Sequence, residues 1–121
     1  MIELRTGTRI WLAAGVTDMR RGFDGLSAQV QTVLNEQPFS GHVFVFRGRR
    51  GDQVKLLWFD GDGLCLFAKR LERGRFIWPK AESGAVSLSR IQELLPWNIA
   101  APLQAKSSQA AWTHSISVHL K

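Results

Sequence analysis

The apolar residues between positions 43 and 71 recur with a period of two, and this stretch constrains the fold more than any other. A period of two is that of a β-strand, whose side chains alternate between two faces. Glycine- and aspartate-rich segments at 47–52 and 60–63 interrupt the pattern where tight turns would form. The pattern predicts consecutive antiparallel strands at these positions: 43–46, 54–59, 64–71 and a shorter run at 75–78.

The segment before this stretch predicts one strand and one helix. Residues 9–14 form a short apolar run that favours a strand, and Thr17 or Asp18 can cap a helix over residues 19–35. The helix would bury one face, on which five apolar residues fall: Phe23, Leu26, Val30, Val33 and Leu34.

The region after residue 88 predicts a short C-terminal helix that Ser89 caps and Pro96 ends. The fold class is therefore α+β, an antiparallel β-meander of about four to five strands packed with one main N-terminal helix and this short helix. We expect a single domain over residues 1–95. Residues 96–121 lack acidic residues and any sustained period, and we expect a loosely ordered tail there.

Composition restricts the protein class further. Cys65 is the one cysteine of the chain, so an intramolecular disulfide and a four-cysteine zinc site are excluded. The N-terminus does not resemble a secretory signal, and no apolar stretch has the length of a membrane span. We expect a cytoplasmic protein that makes no membrane contact.

The charge balance points to a polyanionic partner. Sixteen Lys and Arg residues against ten Asp and Glu give a net charge of +6. Between positions 47 and 80 there are nine basic and four acidic residues, so this segment holds most of the excess. In a meander, the turn at 47–52 and the segment at 69–75 would lie at the same end of the sheet. We therefore predict a phosphate-binding surface there, against the alternative of a solvated turn: Arg47, Arg49, Arg50, Lys69, Arg70, Arg73 and Arg75.

Aromatic content provides a second candidate contact. The chain has five tryptophans and seven phenylalanines. Trp58 and Trp78 could stack on bases or fill a pocket of a partner, although burial in the core of a thin sheet explains them as well.

Residues with the spacing of a catalytic or metal site are scarce. Asp60 and Asp62 could bind Mg²⁺, but the Asp-Gly-Asp-Gly sequence is also what a tight turn selects. The three histidines lie far apart in sequence, and Cys65 lies in an apolar strand. We predict no catalytic residues, no metal site and no cofactor.

Longer sequence blocks resemble one family. They are TDMRRGFDGL at 17–26, GHVFVFRGRRGD at 41–52, KLLWFDGDGLCLFAKRLE at 55–72 and RFIWP at 75–79. Together they closely resemble the TnpB accessory proteins, products of the second open reading frame of bacterial insertion sequences of the sixty-six type. The resemblance extends to about Gln92, roughly three quarters of the chain. These proteins are unrelated to the RNA-guided nuclease of the same name.

The resemblance implies a role in transposition beside a separate, larger transposase that cuts and joins DNA. No catalytic residues are established for the family, so it implies no active site here. The chain departs from the family after residue 92, where a longer leucine-rich helix, an acidic-glycine turn and an Asp-Trp-Arg ending are usual. It reads Glu93-Leu94-Leu95-Pro96-Trp97-Asn98 and continues in an unrelated tail.

The sequence thus predicts a non-enzymatic accessory protein that assists the transposase of the same element through DNA contacts, protein contacts or both. Two other functions remain open at this point: a metal-dependent nuclease component, and a protein–protein adaptor that does not bind DNA. The sequence does not indicate an oligomeric state.

Overall fold

The computed structural model describes residues 7–76 and 117–121, and this part of the chain is α+β, as the sequence predicts. Within it, no helix combines the length and apolar character that crossing a bilayer requires. The elements in chain order are β1 (Arg9–Leu12), α1 (Phe23–Thr32), β2 (Val43–Arg47), β3 (Gln53–Phe59), β4 (Leu64–Arg70) and β5 (Ser117–Leu120).

The strands form a mixed sheet in the order β4-β3-β2-β1-β5. β2, β3 and β4 are successive antiparallel neighbours, whereas β1 is parallel to both β2 and β5. The expected antiparallel arrangement is therefore found in β2 to β4 but does not extend to β1. The reason is the long connection from β1 to β2, which contains α1 and returns the chain to the starting end of β1, so that the next strand runs parallel to it.

Helix α1 is shorter than the predicted range of 19–35. At its start, Asp18 forms a turn, since its backbone oxygen accepts from the Arg21 N–H (3.1 Å), and Gly22 is the N-cap residue without a side-chain cap. At its end, the backbone N–H of Leu34 donates to the oxygen of Gln29 (3.1 Å), and Asn35 has a φ of 57°. A left-handed residue of this kind terminates a helix.

The core lies between α1 and one face of the sheet. Phe23 and Val33 were expected on the buried face of α1 but are 49% and 67% exposed. The helix residues that do pack against the sheet recur every four positions. The core cluster comprises Leu26 and Val30 from α1 and Leu34 from just after it, with Ala13, Phe44, Phe46 and Leu57 from the sheet side.

The opposite face of the sheet is also buried. Strand alternation places Ile10, Val43, Val45, Val54 and Leu56 there, each at most 1% exposed. Full burial of such side chains contributes about 1.5–3 kcal/mol each relative to exposure, before the entropy of ordering. Both faces of the central strands therefore stabilise the sheet and hold its turns in fixed positions.

The C-terminal part of the chain differs from the expectation where it is described. Residues 117–120 form β5, which pairs in register with β1, although the tail from residue 96 was predicted to be loosely ordered. The predicted short C-terminal helix lies outside the described residues, as does most of the fourth meander strand. Of that strand, Arg75 and Phe76 are described and lie outside any strand.

Candidate nucleic-acid interface

Two connections that are distant in sequence lie side by side at one end of the sheet. The pairing of β3 with β4 places Gln53 opposite Arg70. Beyond these strands, the N–H of Leu71 donates to the oxygen of Asp52 (2.8 Å), and the N–H of Phe76 donates to the oxygen of Gly51 (2.9 Å). We call the two segments, residues 47–52 and 69–75, the basic end.

The first connection holds two arginines at its tip. The N–H of Gly48 donates to the oxygen of Gln53 (3.0 Å), and that of Gly51 donates to the oxygen of Gly48 (3.1 Å). Gly51 has a φ of 76°, a conformation that side chains other than glycine rarely adopt, so glycine at this position allows the tight turn. Arg49 and Arg50 are exposed within this turn.

The second connection contributes four more exposed cations, Lys69, Arg70, Arg73 and Arg75. Lys69 and Arg70 are the last two residues of β4. Arg73 and Arg75 lie in the segment that follows, which the backbone hydrogen bonds of Leu71 and Phe76 join to the first connection. Within residues 7–76 and 117–121, no carboxylate lies within ion-pair distance of the six exposed cations of the two connections. Their charges are therefore directed at solvent.

Arg47 differs from the other basic residues of this end. It is half-buried, its Nε donates to the backbone oxygen of Gly15 (3.0 Å), and its own backbone oxygen accepts from the Thr17 N–H (2.9 Å). These bonds attach the loop after β1 to the end of β2. Arg47 thus has a structural role in addition to its predicted place on the phosphate-binding surface.

Of the two candidate aromatic contacts, the described one, Trp58, does not lie at the basic end. Trp58 is half-buried and pairs with Cys65 in the β3–β4 register. It lies four residues along β3 from Val54, the residue opposite Arg47, a separation of about 13 Å at strand spacing. Trp78 lies outside the described residues.

The Asp-Gly-Asp-Gly segment is a hydrogen-bonded turn between β3 and β4. Oδ1 of Asp60 accepts from the backbone N–H groups of Asp62 (3.0 Å) and Gly63 (2.9 Å). These two bonds, with a weaker one from the Cys65 thiol, lower the pKa of Asp60. Burial and then the neighbouring Asp60 raise the pKa of that thiol, which disfavours the reactive thiolate.

The turn does not assemble a recognisable metal site. Across the described part of the chain, no three His, Cys, Asp or Glu side chains are arranged to hold an ion. The carboxylate of Asp60 instead fixes the turn, as the sequence pattern also allowed. This segment lies at the opposite end of β3 from the basic end.

Residues 17–22, which we call the 17–22 loop, adjoin the basic end, and the sequence did not predict this contact. Met19 packs against Gly48, where an added Cβ would lie 2.8 Å from Met19 Cγ. Lys55 Nζ donates to the backbone oxygen of Arg21 (2.8 Å). The loop thus places Arg20 and Arg21 beside the candidate interface. The two consecutive arginines in the TDMRRGFDGL block indicate a local positive charge, but the sequence does not predict that the loop packs on the sheet beside the basic end.

Comparison with known proteins finds relatives that align with about three quarters of the chain. The protein named "Uncharacterized protein y4hO" of Sinorhizobium fredii is 52% identical over 92 residues, which cover 76% of this chain and 80% of that protein. "Uncharacterized protein y4jC" of the same organism is 42% identical over 89 residues, covering 74% and 76% respectively. No solved structure gives a significant match.

A family profile matches most of the chain as well. The family described as "IS66 Orf2 like protein" matches residues 8–99, a span that holds β1 to β4, the 17–22 loop and the whole basic end. Strand β5 lies beyond it. This match agrees with the resemblance in the sequence blocks, and the chain belongs to the IS66 Orf2-like family, the TnpB accessory proteins of insertion sequences.

Proposed function

We propose that this protein is a non-catalytic accessory protein of an insertion-sequence transposition system and that its basic end binds the phosphate backbone of DNA. Family membership supports the connection with an insertion sequence. The DNA contact rests on one observation, the convergence of two cationic connections at the same end of the sheet. The transposase of the same element is the partner beside which the protein would act.

The arrangement suits phosphate contact for electrostatic reasons. Six exposed cations on adjoining segments repel one another; Asp52 and Glu72 of the same segments offset part of this charge, and among the described residues no carboxylate forms an ion pair with any of the six. A polyphosphate relieves it and at the same time releases its own condensed counterions. Five of the six are arginines, and the planar guanidinium of an arginine can donate twice to one phosphate. The six are Arg49, Arg50, Lys69, Arg70, Arg73 and Arg75.

Contacts of this type predict binding that is largely independent of DNA sequence and steeply dependent on salt. Each phosphate that the protein neutralises contributes about 0.9 to the slope of log K against log salt on duplex DNA. Replacing both Arg49 and Arg50 by alanine should lower the slope by up to about 2. The fold should persist, because substitutions in exposed turns change stability by about 0.5 kcal/mol or less.

The test is a fluorescence anisotropy titration of labelled duplex DNA at several salt concentrations. Arg9→Ala is a matched control for Arg49→Ala, because both remove one exposed positive charge but Arg9 begins β1 at the opposite end of the sheet. Arg49→Ala should reduce the slope and Arg9→Ala should not. Equal effects of the two variants, or no DNA binding by the parent protein, would contradict the proposal.

Co-purification separates contact with DNA from contact with the transposase. Tagged protein would be isolated with the transposase of its element, with and without nuclease treatment. A DNA-mediated association should be lost on nuclease treatment, whereas a direct protein contact should survive it. Survival together with absence of DNA binding would identify the protein–protein adaptor instead.

A further inference from the structure

The 17–22 loop is fixed against the basic end by contacts on both sides of Arg20. The N–H of Thr17 donates to the oxygen of Arg47 (2.9 Å), and Met19 packs on Gly48. Consecutive Cα atoms are about 3.8 Å apart. Arg20 follows Met19 and Arg49 follows Gly48, so these two arginines lie on neighbouring segments.

A polar network that is buried at Gln29 and Thr17 and reaches the surface at Arg21 holds the same loop from the helix side. Gln29 is 8% exposed, and its Nε2 donates to Oγ1 of Thr17 (3.0 Å), which is 3% exposed. Its Oε1 accepts from Nη1 of Arg21 (2.8 Å), and the backbone oxygen of Arg21 accepts from Lys55 Nζ (2.8 Å). Buried and satisfied networks of this kind rigidify the backbone that carries them.

Within this fixed loop, Asp18 orients the side chain of Arg20. Arg20 Nε donates to Oδ1 of Asp18 (3.0 Å) and Nη2 donates to Oδ2 (2.9 Å), while the Arg20 backbone N–H also donates to Oδ1 (2.9 Å). The side-chain hydrogen bond from Arg20, followed by the backbone one, lowers the pKa of Asp18 to about 2. The carboxylate is thus ionised at neutral pH and holds one edge of the guanidinium.

The other edge of the guanidinium is available to a ligand. The Arg20 side chain is 91% exposed. Its Nη1 makes no hydrogen bond to any described residue, and a guanidinium carries two N–H donors on that atom. An arginine that is already oriented loses less conformational freedom on binding than a mobile one.

We infer that Asp18 positions Arg20 to donate to a phosphate of the same DNA duplex that the basic end contacts. Asp18 is then a positioning residue, and the interface extends from the two connections onto the 17–22 loop. This inference rests on the proposed function. Duplex DNA is the ligand that the arrangement favours, because phosphates repeat along its backbone and can meet arginines on several adjoining segments at once.

Asp18→Asn distinguishes positioning from simple attraction. The substitution removes a negative charge beside a cationic surface, so charge alone predicts tighter DNA binding. If Asp18 positions Arg20, binding should instead weaken by about fivefold, as for the loss of most of one charge-assisted contact. Asp24→Asn, the same charge change at an exposed residue in the first turn of α1, is the matched control and should not weaken binding.

Variants of Arg20 complete the test by anisotropy titration at fixed salt. Arg20→Ala should weaken binding at least as much as Asp18→Asn, and the double variant should be within about twofold of Arg20→Ala, because Asp18 acts through Arg20. Arg20→Lys keeps the charge but loses the planar fork, and it should also weaken binding. Circular dichroism and thermal melts of each variant check that the fold is retained.

The outcomes separate this inference from the proposed function. If the Asp18→Asn variant binds DNA as tightly as the Asp24→Asn variant, Asp18 does not position Arg20 and the inference is overturned. If the Arg49→Ala variant still lowers the salt slope in that case, the proposed function remains intact. A parent protein that does not bind duplex DNA but is retained on an acidic polypeptide would overturn both.

Discussion

At the scale of single residues, Gly48 joins the 17–22 loop to the basic end. A Cβ at this position would lie 2.8 Å from Met19 Cγ and 3.3 Å from the Cβ of Gln53. The first distance is closer than real Cβ atoms approach, so the methionine has to move. The absence of a side chain at Gly48 therefore allows the loop to approach the turn that carries the candidate contacts.

We expect Gly48→Ala to destabilise the protein by about 1 kcal/mol, within the range for overpacking. Met19→Ala in the same chain should recover part of this loss, because it removes the obstructing side chain. Gly63→Ala is the matched control, since Gly63 also lies in a connection between strands but has open space at its Cβ position. Urea unfolding of the four proteins checks this, and equal stability of the Gly48→Ala and Gly63→Ala variants would contradict it.

The roles of residues that contact their neighbours in sequence were easier to predict than roles that depend on packing between distant segments. Asp60 lies in a turn that its own sequence indicates, because Asp and Gly favour that backbone conformation. The charges of Arg49 and Arg50 were equally evident. The bond from Gln29 to Thr17 joins residues twelve positions apart, and nothing in the local pattern predicts it. The place of Arg20 at the interface follows from such packing and was missed for that reason.

At the scale of elements, periodicity predicted the existence of strands better than their pairing. The alternation in β2, β3 and β4 identified all three and their antiparallel order, because short turns join them. β1 was predicted as a strand, but its direction relative to β2 depends on the crossover through α1. For β5, the alternation of Ile116, Val118 and Leu120 was visible, but a short alternating run does not reveal a partner strand about a hundred residues away.

Strand β5 should contribute measurably to stability, contrary to what a loosely ordered tail implies. The backbone of Lys121 donates to the oxygen of Leu12 (2.8 Å) and accepts from the Ala14 N–H (2.7 Å). Its Nζ lies 2.7 Å from Glu36 Oε2 and 4.7 Å from the centre of the Trp11 ring. The end of the chain is therefore attached to both β1 and the segment after α1.

We expect deletion of residues 117–121 to lower the free energy of unfolding by about 2 kcal/mol or more, as several backbone and side-chain bonds are lost together. Lys121→Met should cost about 1 kcal/mol or less, because it keeps the strand and removes only the charged interactions. Urea denaturation of the three proteins measures both changes. A deletion variant as stable as the full chain would show that this strand adds little.

At the scale of the whole molecule, the exposed cations concentrate at one end of the sheet. The basic end presents six exposed cations beside Asp52 and Glu72, whereas the connection at 60–63 presents two aspartates. A catalytic metal would need several carboxylates around one point, as in enzymes that cleave phosphodiesters. Asp60 is instead bonded to the backbone of its own turn, and DNA held at the basic end would lie a strand length away from it.

We therefore expect the chain alone to leave DNA uncleaved in the presence of Mg²⁺ or Mn²⁺. The measurement is incubation of supercoiled plasmid with the purified protein and either ion, with an EDTA-treated sample in parallel, at a salt concentration where DNA binding is shown by anisotropy. Asp62→Ala and Asp24→Ala serve as a matched pair, because both remove one exposed carboxylate but only the first lies in the 60–63 turn. Cleavage that EDTA and Asp62→Ala abolish, and that Asp24→Ala does not affect, would establish the metal-dependent nuclease component in place of the accessory role. Unchanged plasmid in every sample, with binding retained, is the result that a non-catalytic DNA-binding protein predicts.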